Sequence, residues 1–212
     1  MILPREQRLL LTVGLGTLAY AVLRYHIIKN VPWEHLPLYT TNKVFAVVGL
    51  AGLVGSRLAA GRERRQRYGF AGLWCTTMHV LMSLLLMGQN YFQKFYLETG
   101  ELTWQAELSM TAGVLGVGFL LWLLIATLKT ETQKQTSLVP CLARWTLLAT
   151  ALHLVFMGGA GWLNRDDWTA AKGLPAIPLL AFGLALAGMA LKPAAAESDP
   201  ACLLYTSPSP RD

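Results

Sequence analysis

Residues 74–87 read WCTTMHVLMSLLLM, an apolar stretch with one histidine, His79, near its middle. Extended to its natural limits the run covers 70–88 and contains no Asp, Glu, Lys or Arg. Crossing a hydrocarbon core of roughly 30 Å takes about 20 mostly apolar residues in a helix, so this run has the length of a membrane span. It is continuously apolar rather than alternating, which selects a helix over a barrel strand.

Five more runs of the same kind lie at approximately 9–28, 44–60, 108–128, 145–163 and 174–191. Across all 212 residues, 54% are hydrophobic and 14% charged, and the mean hydropathy is +0.41. That leaves too little polar surface for a soluble globule of 23.3 kDa. The expected fold is all-α, an integral membrane bundle of six transmembrane helices. The connections are short, so residues 1–192 are read as one domain, followed by a disordered tail over 193–212.

The basic residues set the expected orientation. SRLAAGRERRQRYG carries Arg57, Arg62, Arg64, Arg65 and Arg67 between the second and third runs, a density that belongs on the cytoplasmic side. The same choice puts Arg5, Arg8, Lys129, Lys134, Arg144 and Lys192 inside and the acid-richer KFYLETGELTWQAE outside. Both termini are then cytoplasmic, and the expected location is a bacterial inner membrane. The net charge of +6 and the pI of 9.4 do not argue for a nucleic-acid partner, because the cations sit at helix ends where topology and anionic headgroups account for them. The first run has the basic start and the small-x-small AYA (19–21) of a secretory signal, but removing it would upset the charge-matched topology, so an uncleaved first helix is expected.

Residues 202–212, CLLYTSPSPRD, break with everything before them and resemble the conceptual translation of a sequencing adapter. They are expected to be artefactual, with the natural chain cut near Ala201; the alternative is an ordinary disordered Ser/Pro tail.

Two histidines lie inside apolar runs, His79 and His153, the latter within RWTLLATALHLVFMGG. His79 comes twelve residues after Arg67 and His153 nine after Arg144, so at about 1.5 Å per residue their depths agree to within a turn. Ionisable groups at mid-membrane are costly and point to function. Two imidazoles at one level on two helices suit the axial positions of a haem iron, and the competing reading is interhelical packing through single hydrogen bonds. Met82 and Met157 share the faces of the two histidines, and Met78 lies close by; lining a pocket suits these thioethers better than ligation. Thr76, Thr77 and Thr150 are candidates to hydrogen-bond the imidazoles. Propionate partners are offered at either end, by Arg24, Lys29 and Lys43 or by Arg67 and Arg144.

Other motifs carry less. Cys75 and Cys141 have no CxxC spacing and read as free thiols. His26 and His35, beside Trp33 and Tyr39, read as interfacial residues of an aromatic belt rather than an external metal site. GLGTLA (14–19) imitates a dinucleotide fingerprint, but it lies in a membrane run with no βαβ unit. Ala46, Gly49, Gly52 and Gly55 recur every third position, and Gly113, Gly116 and Gly118 crowd the fourth run; such spacing lets helices approach closely.

The arginine-rich loop leading through RYGFAGLWCTTMHVLMSLLL, followed by ARWTLLATALHLVFMGGAGWLNRDDW, resembles the bacterial ferric reductase-like transmembrane domain. LYTTNKVFAVVGLAGL and GLPAIPLLAF carry the likeness over roughly residues 35–192. The resemblance implies a membrane cytochrome with one b-type haem, His79 and His153 as axial ligands of its iron, an electron donor on the cytoplasmic side such as a flavin or a quinone, and transfer of electrons across the bilayer. Related members with a second haem carry a further histidine in each of these helices; here Phe92 and Asp166 or Asp167 stand at those places, so a single haem is expected. The resemblance also leaves room for a membrane subunit that feeds a separate periplasmic redox partner of the methionine sulfoxide reductase type. A haem-free bundle in which the histidines pack or relay protons is the third reading.

Overall fold

A computed structural model of the chain describes residues 4–88, 91–128 and 138–192. Lys129, Lys134, Cys202 and the tail over 193–212 lie outside the described residues. Within them the chain is helical, with a single β-bridge between Tyr96 and Leu102 in a turn. The long helices are α1 (Arg5–Ala21), α2 (Thr41–Leu58), α3 (Arg62–Leu86), α4 (Trp104–Leu128) and α5 (Leu138–Trp162); a short α6 (Arg165–Ala170) and the apolar α7 (Ile177–Ala190) follow. Five helical stretches, ending at Ile28, Leu58, Leu86, Leu128 and Trp162, are long and apolar enough to cross a membrane.

Helix limits depart from the hydropathy runs where polar residues can be housed. α3 begins eight positions before its run, at Arg62, because arginine is a good helix former whose long stem lets the charge reach the interface. α1 continues as a π-helical segment, Val22–Ile28, which buries Arg24, Tyr25 and His26 in succession. Such π turns are rare and occur frequently at functional sites. α7 is shorter than its run: the main chain over 174–176 is not helical, with Leu174 O accepting from Arg24 Nε at 3.1 Å and Pro175 O from the Tyr20 hydroxyl at 2.6 Å. Pro178 falls in the first turn of α7, where the ring costs no helical hydrogen bond.

The core is built by α2, α5 and α7, through Leu50 and Val54, Leu147, Ala151 and Leu154, and Ala181 and Ala185. α1 packs on α2, α3 lies along α2, and α4 lies along α5. α3 packs only marginally against α4 or α5. At the α2–α3 crossing a Cβ on Gly52 would stand 2.6 Å from the Gly72 Cα, and one on Gly49 would stand 2.6 Å from Thr76 Oγ1. Backbones this close require glycine, as the three-residue spacing suggested. Gly118, by contrast, faces open space and takes no part in helix packing. The outward faces are apolar, with Trp74, Leu85, Val114 and Leu128 largely exposed, as suits helices surrounded by lipid tails.

At one end, Glu6 of α1 is buried against Arg64 Nε at 3.4 Å and Arg67 Nη1 at 3.7 Å. The start of the described chain and the arginine-rich α2–α3 junction therefore share an end of the bundle.

Candidate functional site: two membrane-level histidines

His79 projects from α3 toward the first turn of α2. Its Nδ1 lies 2.7 Å from Asn42 Oδ1 and 3.3 Å from the Asn42 main-chain oxygen. The Asn42 carboxamide is oriented from its other side, where Nδ2 donates to Ser83 Oγ at 3.0 Å. His153 makes the matching arrangement between α5 and α4. Its Nδ1 lies 2.8 Å from the Ser109 main-chain oxygen, and Ser109 Oγ, which donates to His153 O at 3.1 Å, sits 3.1 Å from the same nitrogen.

Carbonyl oxygens only accept, so each short contact requires Nδ1 to carry the proton. Each Nε2 is then the atom with the free lone pair. No hydrogen bond engages either Nε2 among the described residues. Both imidazoles are half-buried, on helices that scarcely pack against each other. A Cβ on Gly113 would come within 3.2 Å of His153 Nδ1, so the bare backbone of α4 is what lets the ring seat there.

The threonines proposed as imidazole partners serve elsewhere. Thr77 and Thr150 donate to the main chain one turn back in their own helices, at Leu73 O and Thr146 O, and Thr76 fills the groove over Gly49. Asn42 and Ser109 take the role instead. Neither stood out in the sequence, since a small polar residue near a helix end is common and its opposite number is set by packing.

The remaining candidates are dispersed. His26 uses both ring nitrogens, on Val31 O at 2.9 Å and Thr40 Oγ1 at 2.7 Å, and stacks on Trp33. His35 packs edge-on against Tyr39 and Tyr91. Among the described residues, no group of three His, Cys, Asp or Glu side chains could hold a metal ion. Cys75 and Cys141 are free thiols. Phe92 stacks on Phe95, and Asp167 pairs with Lys29 at 3.4 Å.

A cavity of about 410 Å³ opens at the end of the bundle away from the arginine-rich junction, with Arg24, Lys29, Lys43 and Lys94 in its wall together with Met157 and Gly158. Desolvation at its mouth, with Lys43 as a cationic neighbour, holds the Lys94 ammonium below the usual lysine range. Arg67 and Arg144, offered as alternative propionate partners, lie outside this cavity; Arg67 is engaged by Glu6 and Glu63.

Compared with protein families, with characterised proteins and with solved structures, the chain matches none.

Proposed function

We propose that the protein is a membrane-embedded b-type cytochrome, similar to the ferric reductase-like transmembrane domain, that passes electrons across the bilayer. The reading includes six spans with both termini cytoplasmic in a bacterial inner membrane. The observation that carries it is the paired tautomer: two half-buried imidazoles, each with Nδ1–H committed to a carbonyl and Nε2 left with a free lone pair. Imidazoles that bind metal through Nε2 regularly donate the other N–H in this way, which fixes the ring and raises its basicity. The tautomer of each ring is thus the one a haem ligand needs, which supports the bis-histidine reading.

A bound haem would supply one-electron iron chemistry, its potential set by ligand identity, hydrogen bonding and burial. The chain's own contribution is to hold two imidazoles in one tautomer and to surround them with apolar helices that exclude water. Electron donor and acceptor are a cytoplasmic flavin or quinone and a periplasmic partner. Whether the external acceptor is a small molecule or a separate reductase subunit, the same two ligands serve.

The haem-free reading draws on the same hydrogen bonds, since His79–Asn42 and His153–Ser109 staple α3 to α2 and α5 to α4 without any cofactor. The two readings part at Nε2, which packing alone leaves without a partner. The reduced-minus-oxidised visible spectrum of detergent-purified protein separates them. A b-type spectrum in the wild type, abolished by His79→Ala and by His153→Ala, is the expected result. A colourless wild type from cells supplied with haem precursors would sink the cytochrome and leave the stapled bundle.

A further inference from the structure

The positive-inside rule disfavours lysine and arginine on the end of the bundle opposite the α2–α3 junction, yet four cations line one cavity there. Arg24 and Lys43 are held in helices, and Lys94 is brought in by the loop after α3. Only Lys29 has a carboxylate, Asp167 at 3.4 Å; among the described residues Arg24, Lys43 and Lys94 form no ion pair. Against one carboxylate, four cations leave the cavity a net charge of +3. Lys43 Nζ rests 3.7 Å from the centre of the Tyr39 ring and 5.2 Å from that of Tyr25, which eases the burial of an ammonium without neutralising it. Arg24 spends its Nε on Leu174 O, and Lys94 donates to Met157 O at 2.6 Å.

Neither histidine lines the cavity, but its wall is tied to both along the chain. Lys43 follows Asn42, the partner of His79, and Met157 stands one turn beyond His153 on α5, about 6 Å along the axis at 1.5 Å per residue. A site with uncompensated cations, tyrosine walls and an opening toward one membrane face suits carboxylate groups, which accept charge-assisted hydrogen bonds from lysine and arginine. We propose that this cavity is a carboxylate-binding site in which Arg24, Lys43 and Lys94 are the anion-holding residues. The carboxylates belong either to the propionates of a haem held by His79 and His153, which rests on the cytochrome reading, or to a small polycarboxylate entering from that side, which does not.

The test uses the full chain in detergent, from haem-limited cells, as wild type, Lys43→Met, Lys94→Met, Lys43→Arg and, at the far end, Arg64→Gln. Each is titrated with haem and with haem dimethyl ester, following the Soret band, and with citrate by calorimetry at low and high salt. For the propionate source, wild type prefers haem to its ester by about tenfold or more, a preference reduced in Lys43→Met and Lys94→Met and kept in Lys43→Arg and Arg64→Gln. For the separate ligand, citrate binds wild type more weakly as salt rises and binds the two methionine variants about tenfold more weakly still. Lys94 lies in a loop, so its variant carries the test if Lys43→Met does not fold. Equal affinity for haem and ester together with no citrate binding overturns the site while leaving the cytochrome intact. Citrate binding that depends on Lys43 in a protein that takes up no haem sustains the site and overturns the cytochrome.

Discussion

At the scale of single residues, the two histidines are alike in tautomer but differ in what holds them. His153 is fixed by a main-chain oxygen at 2.8 Å, with the Ser109 hydroxyl as an accessory. His79 depends on a side chain, Asn42 Oδ1 at 2.7 Å, and its main-chain contact is longer at 3.3 Å. Ser109→Ala is therefore expected to leave haem affinity nearly unchanged, because the carbonyl that orients the ring remains. Asn42→Ala removes the principal acceptor and is expected to weaken haem binding by about tenfold or more, the usual consequence of losing an outer partner of a metal ligand. Haem dissociation rates of the two variants check this; equal effects would mean that the hydrogen bonds do not orient the two imidazoles. His79 and His153 were legible in the sequence because an ionisable group in an apolar run is expensive and conspicuous. Asn42 and Ser109 were not, since their meaning arises only when α2 meets α3 and α4 meets α5.

At the scale of helices, the α2–α3 crossing is set by glycine. With a Cβ on Gly52 placed 2.6 Å from the Gly72 Cα, neither backbone can yield without separating the helices. Asn42 and His79 lie in this same helix pair, so a wider crossing also loosens the support of the His79 ring. Gly52→Ala is expected to cost about 1–3 kcal/mol, the range for overpacking a tight contact, and to lower the thermal midpoint in detergent. Gly118→Ala, in open space, is expected to leave that midpoint unchanged or raise it, since alanine is the better helix former. Equal losses at both positions would show that the crossing is not the constraint. The spacing of Gly49, Gly52 and Gly55 announced this interface, because small residues every third position form one helix stripe. The crowding of glycines in α4 was a poorer guide: Gly113 lies under His153 whereas Gly118 meets nothing, and composition does not distinguish the two faces.

At the scale of the whole molecule, the deciding element for topology is α7. Its 14 residues rise about 21 Å at 1.5 Å per residue, short of a hydrocarbon core of roughly 30 Å. The non-helical Leu174–Ala176 ahead of it adds at most about 10 Å at 3.3 Å per residue, which would bring the combined element to the thickness of the core. Non-helical backbone inside a membrane is tolerated only where protein satisfies its polar groups, and Arg24 and the Tyr20 hydroxyl do so at Leu174 O and Pro175 O. The hydropathy run of 174–191 has the length a sixth crossing would need, although it could not show that its first residues leave the helix to meet α1. The expected arrangement has the α2–α3 turn and the end of α7 on one side and the Tyr96–Leu102 turn on the other. In a background with Cys75, Cys141 and Cys202 replaced by serine, single cysteines at Ala60→Cys, Thr99→Cys and Lys192→Cys report it, since all three positions are exposed. A membrane-impermeant maleimide applied to spheroplasts is expected to label Thr99→Cys directly and the other two only after permeabilisation. Labelling of Lys192→Cys together with Thr99→Cys would mean that α7 turns back without crossing, leaving five spans and the termini on opposite sides.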